Sequence, residues 1–219
     1  MTVSPENLSI ARAHMVDSQV RPNQVNDTRI IAAMRTLPRE KFAPPGSRPY
    51  ADADIDLGGG RYMLAPLTIA KLAQLVLATN PKTILVIGAG AGYGAALLAA
   101  SGAAVTALEE DTRLETGALA AYAPDVRRLT GRLEDGDPRS APYDAILIEG
   151  AVARLPEALA AQIAPQGRLI TILADAAGHS TLGRAVIAET RGQGFATAAK
   201  FDATARILPQ FRTAPAFVF

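Results

Sequence analysis

The apolar positions of this chain keep one rhythm up to about residue 80 and another after it. Over the first 50 residues they recur at helical spacing. Ser4-Pro5-Glu6 supplies a cap, a proline at the first helical position and an acid in the first turn, which predicts a helix start. Asn26-Asp27 predicts a second cap, and Ile30, Ile31, Met34 and Leu37 behind it fall on one face. Prolines at 38, 44 and 45 end that run, because proline cannot continue a helix. The stretch "IDLGGGRYMLAP" at 55–66 reads as a glycine-hinged loop with an apolar tip. Residues 66–79 follow as a helix, apolar nearly all round except for Lys71 and Gln74, and therefore expected to be buried.

From residue 82 strands and helices alternate. "TILVIGAG" is a short apolar strand running into glycines, and "YGAALLAASG" is a small-residue helix. "AAVTALEED" is a second strand ending in acids, with a helix expected over 112–122. "VRRLTG", "YDAILIEG" and "RLITILA" are the third, fourth and fifth strands, with a helix expected over 154–164 and closed by "APQG". "LGRAVIAET" and "FATAAKF" flank Arg191-Gly192-Gln193-Gly194, a hairpin turn, and "PAFVF" reads as one more short strand. Continuous apolar strands alternating with helices predict an α/β fold whose mainly parallel sheet is covered on both faces. No linker, repeat or low-complexity tract divides the 219 residues, so 1–219 is expected to be one domain: a helical extension over 1–80 and a cofactor-binding core over 81–219.

Composition narrows the chemistry. Apolar residues make up 49% and charged residues 20%, a globular balance. A net charge of +1 gives no electrostatic footprint for nucleic acid or an anionic membrane. No apolar run reaches the roughly 18 residues a bilayer span requires, and the N-terminus lacks a basic-then-apolar leader pattern, so a cytoplasmic protein is expected. With no cysteine, thiol nucleophiles and thiolate metal sites are excluded, and two distant histidines, His14 and His179, do not make a zinc site. His14 is expected to pack or face water on its helix. His179, with Asp175 nearby, is either a surface-loop residue or half of an acid–base pair near the cleft.

Gly88-Ala89-Gly90-Ala91-Gly92 sits where the first strand of the alternating region meets its helix. Glycine lets backbone approach a ligand closely, and ligands of open α/β sheets bind beyond the strand C-termini. Glu109 and Glu110 end the next strand, where a carboxylate can accept hydrogen bonds from both ribose hydroxyls. Two cofactor classes share this geometry. The dinucleotide pattern G-x-G-x-x-G would need glycine where Tyr93 stands, whereas G-x-G-x-G is the form commoner in S-adenosylmethionine (SAM) methyltransferases. A glycine turn serving only strand–helix packing stays possible on these residues alone.

The segment order resembles the protein-L-isoaspartate O-methyltransferase family over nearly the whole chain: "LPREKFAP", "DLGGGRYMLAP", "ILVIGAGAGYGAALLA", "VTALEED", "PYDAILIEGAV" and "IAPQGRLITIL" match it in type and order. The "PREKF" segment followed by a glycine-rich loop is the specific part. The resemblance implies a Rossmann-like fold with a seven-strand sheet and a terminal antiparallel hairpin. It implies SAM as cofactor and isoaspartyl residues of proteins or peptides as substrate, with an unknown small acceptor as the alternative. The chain is a divergent member. The family loop reads Gly-Gln-Thr-Ile-Ser-Gln-Pro, with the serine hydroxyl helping to hold the substrate carboxylate; lined up on Pro66, Leu64 takes the serine's place and Ala65 the glutamine's. The acid usually found two residues before the first cofactor glycine is Val86, and the family's Gly-Asp-Gly, whose aspartate helps place the adenine, is Gly131-Arg132-Leu133.

Loss of the serine need not abolish methyl transfer. A carboxylate nucleophile is already ionised at neutral pH, and the rate of an in-line displacement comes largely from alignment and desolvation. The substrate-loop candidates are Gly60, Arg61, Tyr62, Met63 and Leu64, with Arg61 either a replacement donor or a solvated loop cation. The cofactor candidates are Gly88, Ala89, Gly90, Gly92, Tyr93, Glu109, Glu110, Arg132, Leu133 and Glu149, the last as compensation for the lost aspartate. Besides the methyltransferase, a non-catalytic descendant acting through protein contacts and a nicotinamide oxidoreductase remain as readings.

Overall fold

The computed structural model describes residues 4–175, 181–192 and 194–212. His179 and the "PAFVF" segment lie outside the described residues.

Helix α1 (Pro5–Met15) starts at Ser4, whose hydroxyl accepts the Asn7 N–H at 3.3 Å. Helix α2 (Thr28–Thr36) starts at Asp27, which accepts the Arg29 N–H at 2.9 Å. Both starts were legible from the capping residues, although Asp27 and not Asn26 makes the second cap. Between the two helices the chain runs on as one π-helical and one 3-10 turn, ending in Gln24 at φ +67°. The expected loop over 55–66 is a correction: it is a small antiparallel ribbon of β1 (Ile55–Gly58) and β2 (Arg61–Met63). Its three glycines, each at positive φ, are the turn that joins the two strands. Helix α3 (Pro66–Leu77) follows and is buried on most sides, as its pattern predicted.

The main sheet has seven strands. In chain order these are β3 (Thr83–Ile87), β4 (Ala104–Glu109), β5 (Arg127–Thr130), β6 (Tyr143–Val152), β7 (Ile163–Ala174), β8 (Leu182–Arg191) and β9 (Gly194–Thr204). Their spatial order is β5-β4-β3-β6-β7-β8-β9. The first five are parallel, and β8 is antiparallel to both β7 and β9, which gives the expected closing hairpin around Gly192. The chain leaves β3 for β4 and β5 and returns to the other side of β3 as β6, so the switch point lies between β3 and β6.

The side chains of β3 alternate between two cores. Ile84 and Val86 pack with α2, α3 and α4 (Tyr93–Ala99) on one face, and Leu85 and Ile87 join Leu133, Leu159, Leu208 and Phe211 on the other. Where the pattern predicted two further helices the structure has shorter elements, the first packing Ala118 and Leu119 into the main core and the second packing Leu159 into the other. Over 112–122 the structure has a 3-10 turn, Thr112–Leu114, and a five-residue helix, α5 (Ala118–Tyr122), separated by Gly117 at φ +77°. Over 154–164 it has only the 3-10 turn Glu157–Gln162. Pro156 and Pro165 bracket that run, and Ile163 is already paired with Tyr143 as the start of β7. Among the described residues no helix is long and apolar enough to cross a membrane, and no cluster of three or more metal-ligating side chains occurs.

Candidate functional site

The glycine turn lies at the C-terminal end of β3, beside the tip of β4. Gly88 and Ala89 both donate their N–H groups to the Leu108 carbonyl, at 2.9 and 3.1 Å, which folds the turn towards Glu109. Gly88, Gly90 and Gly92 have φ of +74°, +55° and +96°, so side chains there would be strained as well as crowded. Tyr93 opens α4 and is buried with its ring edge-on to Phe42, at 5.5 Å.

Glu109 is 1% exposed and its carboxylate is fully engaged. Oε2 accepts the Gly90 N–H at 2.7 Å and Arg61 Nη2 at 2.6 Å. Oε1 accepts the N–H groups of Glu110 at 2.9 Å and Asp111 at 3.1 Å. A carboxylate offers about four lone-pair sites, so no acceptor capacity is left for a further donor.

Arg61 is therefore not a solvated loop cation, and in this arrangement its charge is engaged by Glu109. It is 3% exposed, reaches inward from β2 and forms a buried ion pair with Glu109. Its guanidinium lies so close over the turn that a Cβ built on Gly88 would stand 2.9 Å from Nη2. Leu57 from β1 covers the next glycine, 3.0 Å from the corresponding position on Gly90. The seat suits arginine poorly: Nε and Nη1 are buried and find no acceptor among the described residues. Each such orphan costs roughly 1–3 kcal/mol.

Above the ribbon lies a segment that sequence reasoning missed. Arg206 stacks on the Tyr62 ring at 4.6 Å, and Leu208 donates its N–H to the Ala151 carbonyl at 2.9 Å. Pro209 stands 3.0 Å from where Gly60 would carry a Cβ. Below it lies another missed residue, the fully buried Arg39 of "PREKF". Arg39 donates to the carbonyls of Pro49 and Leu64 and lies over the Tyr93 ring at 4.7 Å. Leu64 is consequently no exposed loop tip. It is 2% exposed, part of the main core, with its carbonyl pinned by Arg39, and Met63 is buried with it.

Glu149, on β6 at the switch point, is buried beneath the turn with its Oε2 unpartnered. A Cβ on Gly94 would lie 2.7 Å from its Cδ, so this carboxyl needs glycine at the start of α4. Burial pushes its pKa up to about 8, against the pull of Arg39 and Arg61 and with a further push from Glu109. The shift favours its protonated, uncharged form near neutral pH.

The other candidates are not brought into this group. Glu110 is exposed and accepts Gln210 Nε2 at 2.8 Å. Arg132 is exposed and faces Glu134 and Asp135, and Leu133 is buried in the second core. Val86 sits in the main core, at a position where an acid would have had to be buried. Arg127 begins the edge strand β5, is exposed, and pairs with Asp137.

The residues of the turn and Glu109 suit an adenosyl ligand, and the ribbon over them does not. Between ribbon tip and turn, beside Tyr93 and Glu149, the remaining cavity is about 10 Å³. That holds at most one water, against the roughly 300–1,000 Å³ of small-molecule sites. As arranged, the site does not fit the cofactor its fold implies.

A glycine turn at the switch point of a mainly parallel sheet, an acid at the tip of the next strand and an antiparallel hairpin closing the far edge define a Rossmann-like methyltransferase fold. The sequence profile of the protein-L-isoaspartate(D-aspartate) O-methyltransferase family matches residues 11–186. A protein-L-isoaspartate O-methyltransferase of Methylorubrum extorquens is 34% identical over 177 residues, 78% of each chain. One from Rhodopseudomonas palustris is 37% identical over 164 residues, 71% of this chain and 74% of the relative. The crystal structure of a Plasmodium falciparum protein-L-isoaspartate O-methyltransferase in complex with S-adenosyl-L-homocysteine superposes with a TM-score of 0.76 at 16% identity, covering 91% of this chain and 98% of that one. The chain belongs to the protein-L-isoaspartate(D-aspartate) O-methyltransferase family.

Proposed function

We propose that this protein is a SAM-dependent O-methyltransferase acting in the cytoplasm on the carboxylate of isoaspartyl residues in damaged proteins or peptides, with 1–219 as one methyltransferase unit. The observation that carries this reading is the Glu109 carboxylate, held against the glycine turn by the Gly90 N–H at 2.7 Å. In this reading Glu109 is the ribose anchor, and Gly88, Gly90 and Gly92 give the turn the close approach that side chains would block. The acceptor carboxylate is ionised at neutral pH and needs no base. Glu149, favoured in its uncharged form near neutral pH and lining the same small cavity as Tyr62 and Met63, opposes an anionic acceptor less than an ionised carboxylate would.

The apolar lining of Leu57 and Met63 favours a second reading, a less polar acceptor. The saturated Glu109 favours a third, a domain that has given up the cofactor. Transfer of labelled methyl from SAM to an isoaspartyl peptide, run beside its normal aspartyl twin, separates these readings. The expected result is label in the isoaspartyl peptide alone. Equal labelling of both would remove the specificity, and no label in either would remove the carboxylate acceptor.

A further inference from the structure

We propose that Arg61 is a latch on the ribose seat: its guanidinium holds the Glu109 carboxylate in the closed protein, and the β1–β2 ribbon must lift before an adenosyl cofactor can enter. The inference rests on the methyltransferase reading above and adds to it a gate, with the residue that works it.

Three independent features meet here. The first is occupancy, since the Arg61 guanidinium fills the space over Gly88 and takes the last acceptor site of Glu109. The second is the imperfect seat. Two of the three guanidinium nitrogens are buried without acceptors, so the closed state lacks the full set of bonds that would make it permanent. The third is the build of the ribbon. It has two short strands joined through Gly58, Gly59 and Gly60, with a register shift between Asp56 and Gly58, and a two-stranded ribbon is only marginally stable by itself. The ribbon's far end is anchored more firmly. The Ala65 N–H is held by Asp54 at 2.8 Å and the Leu64 carbonyl by Arg39, so the segment that lifts is 55–63, and lifting it draws Ile55 and Met63 out of the core and parts Tyr62 from Arg206.

Such a latch lowers apparent cofactor affinity by the fraction of molecules that are open. It also ties opening to charge, because the ligand replaces a cation at Glu109 with neutral hydroxyls. Buried in the closed state, Arg61 becomes available to an anionic acceptor only in the open one, so cofactor entry and exposure of that cation are one event.

Calorimetric titration of the full chain with S-adenosyl-L-homocysteine, wild type beside Arg61→Ala, tests the latch. The expected result is binding by both, at least tenfold tighter in the variant. Hydrogen exchange on the wild type gives a second readout that does not depend on the variant's folding. Saturating ligand should speed exchange at the amides of residues 56–63 and slow it at those of 88–92. Equal or weaker affinity in Arg61→Ala, or a ribbon that stays as protected with ligand as without, overturns the latch while leaving the methyltransferase reading intact. Absence of binding by both proteins at millimolar ligand overturns that reading and the latch with it.

Discussion

Glu109→Gln is expected to lower the stability of the protein by about 3–5 kcal/mol and to weaken S-adenosyl-L-homocysteine binding roughly 10–100-fold. The stability loss follows from the buried pair. Arg61 and Glu109 have side chains 4% and 1% exposed, and removing the carboxylate's charge leaves a guanidinium in the interior with nothing to neutralise it. The amide that replaces it also fits badly. Four donors converge on the two carboxylate oxygens, from Arg61, Gly90, Glu110 and Asp111, so one half of the glutamine side chain must turn an NH2 towards N–H groups. For a chain of this size the loss corresponds to a fall in melting temperature of roughly 6–20 °C. The double variant Arg61→Ala/Glu109→Gln should be less damaged than the two single variants combined, because the orphaned charge is gone. Thermal melts of the three proteins check the first effect, and calorimetry the second. A Glu109→Gln protein that melts within a degree or two of wild type would show that the pair contributes nothing to the fold.

Glu149→Gln is expected to stabilise the protein at alkaline pH and to flatten its pH dependence. Burial raises the folded-state pKa of Glu149 to about 8, from an ordinary value of 4.5. Below pH 4.5 both folded and unfolded chains hold the proton and the group has no effect. Between 4.5 and 8 the unfolded chain releases the proton and the folded one keeps it. The unfolded state then binds fewer protons, and stability falls as pH rises. A shift of that size amounts to a penalty on the order of 4–5 kcal/mol once pH exceeds 8. The charged and titratable neighbours are Arg39, Arg61, Glu109 and Tyr93, and the two arginines moderate the penalty without cancelling it. Glutamine keeps the shape against Gly94 and cannot ionise. Urea denaturation from pH 5 to 9 should therefore show wild-type stability declining across the range and the variant's declining much less. Parallel curves would mean that Glu149 is ionised in the folded protein and is solvated by movements of the ribbon.

The parts of the fold legible in the sequence are those set by local pattern. "TILVI" is continuous and apolar because β3 is buried on both faces, and the glycines after it are required by positive φ and close packing. Ser4 and Asp27 cap their helices through their own side chains, a contact within three residues. What sequence reading missed depends on distant partners. Residues 154–164 have good helical composition, but pairing of Ile163 with Tyr143 takes the end of that run into the sheet. The glycines at 58–60 read as an open loop, although they are the turn of a ribbon whose register is set by Ile55 opposite Met63.

The site divides in the same way. Glu109 is where the strand–turn–helix–strand order puts it. The partner that saturates it lies 48 residues earlier, and nothing near Arg61 announces the pair beyond its place in an alternating strand with Met63 on the same side. Leu64 is legible as a lost hydroxyl, whereas its burial follows from Arg39, whose side chain crosses the interior to reach its carbonyl. The loss of the acid at Val86 has a physical account only in three dimensions, since that side chain points into the main core.

The most direct measurement is a crystal structure of the full chain grown with S-adenosyl-L-homocysteine. The expected result is both ribose hydroxyls within hydrogen-bond distance of the Glu109 carboxylate, with Arg61 withdrawn from it. A ligand bound away from the turn after β3, or an intact Arg61–Glu109 pair beside bound ligand, would contradict it.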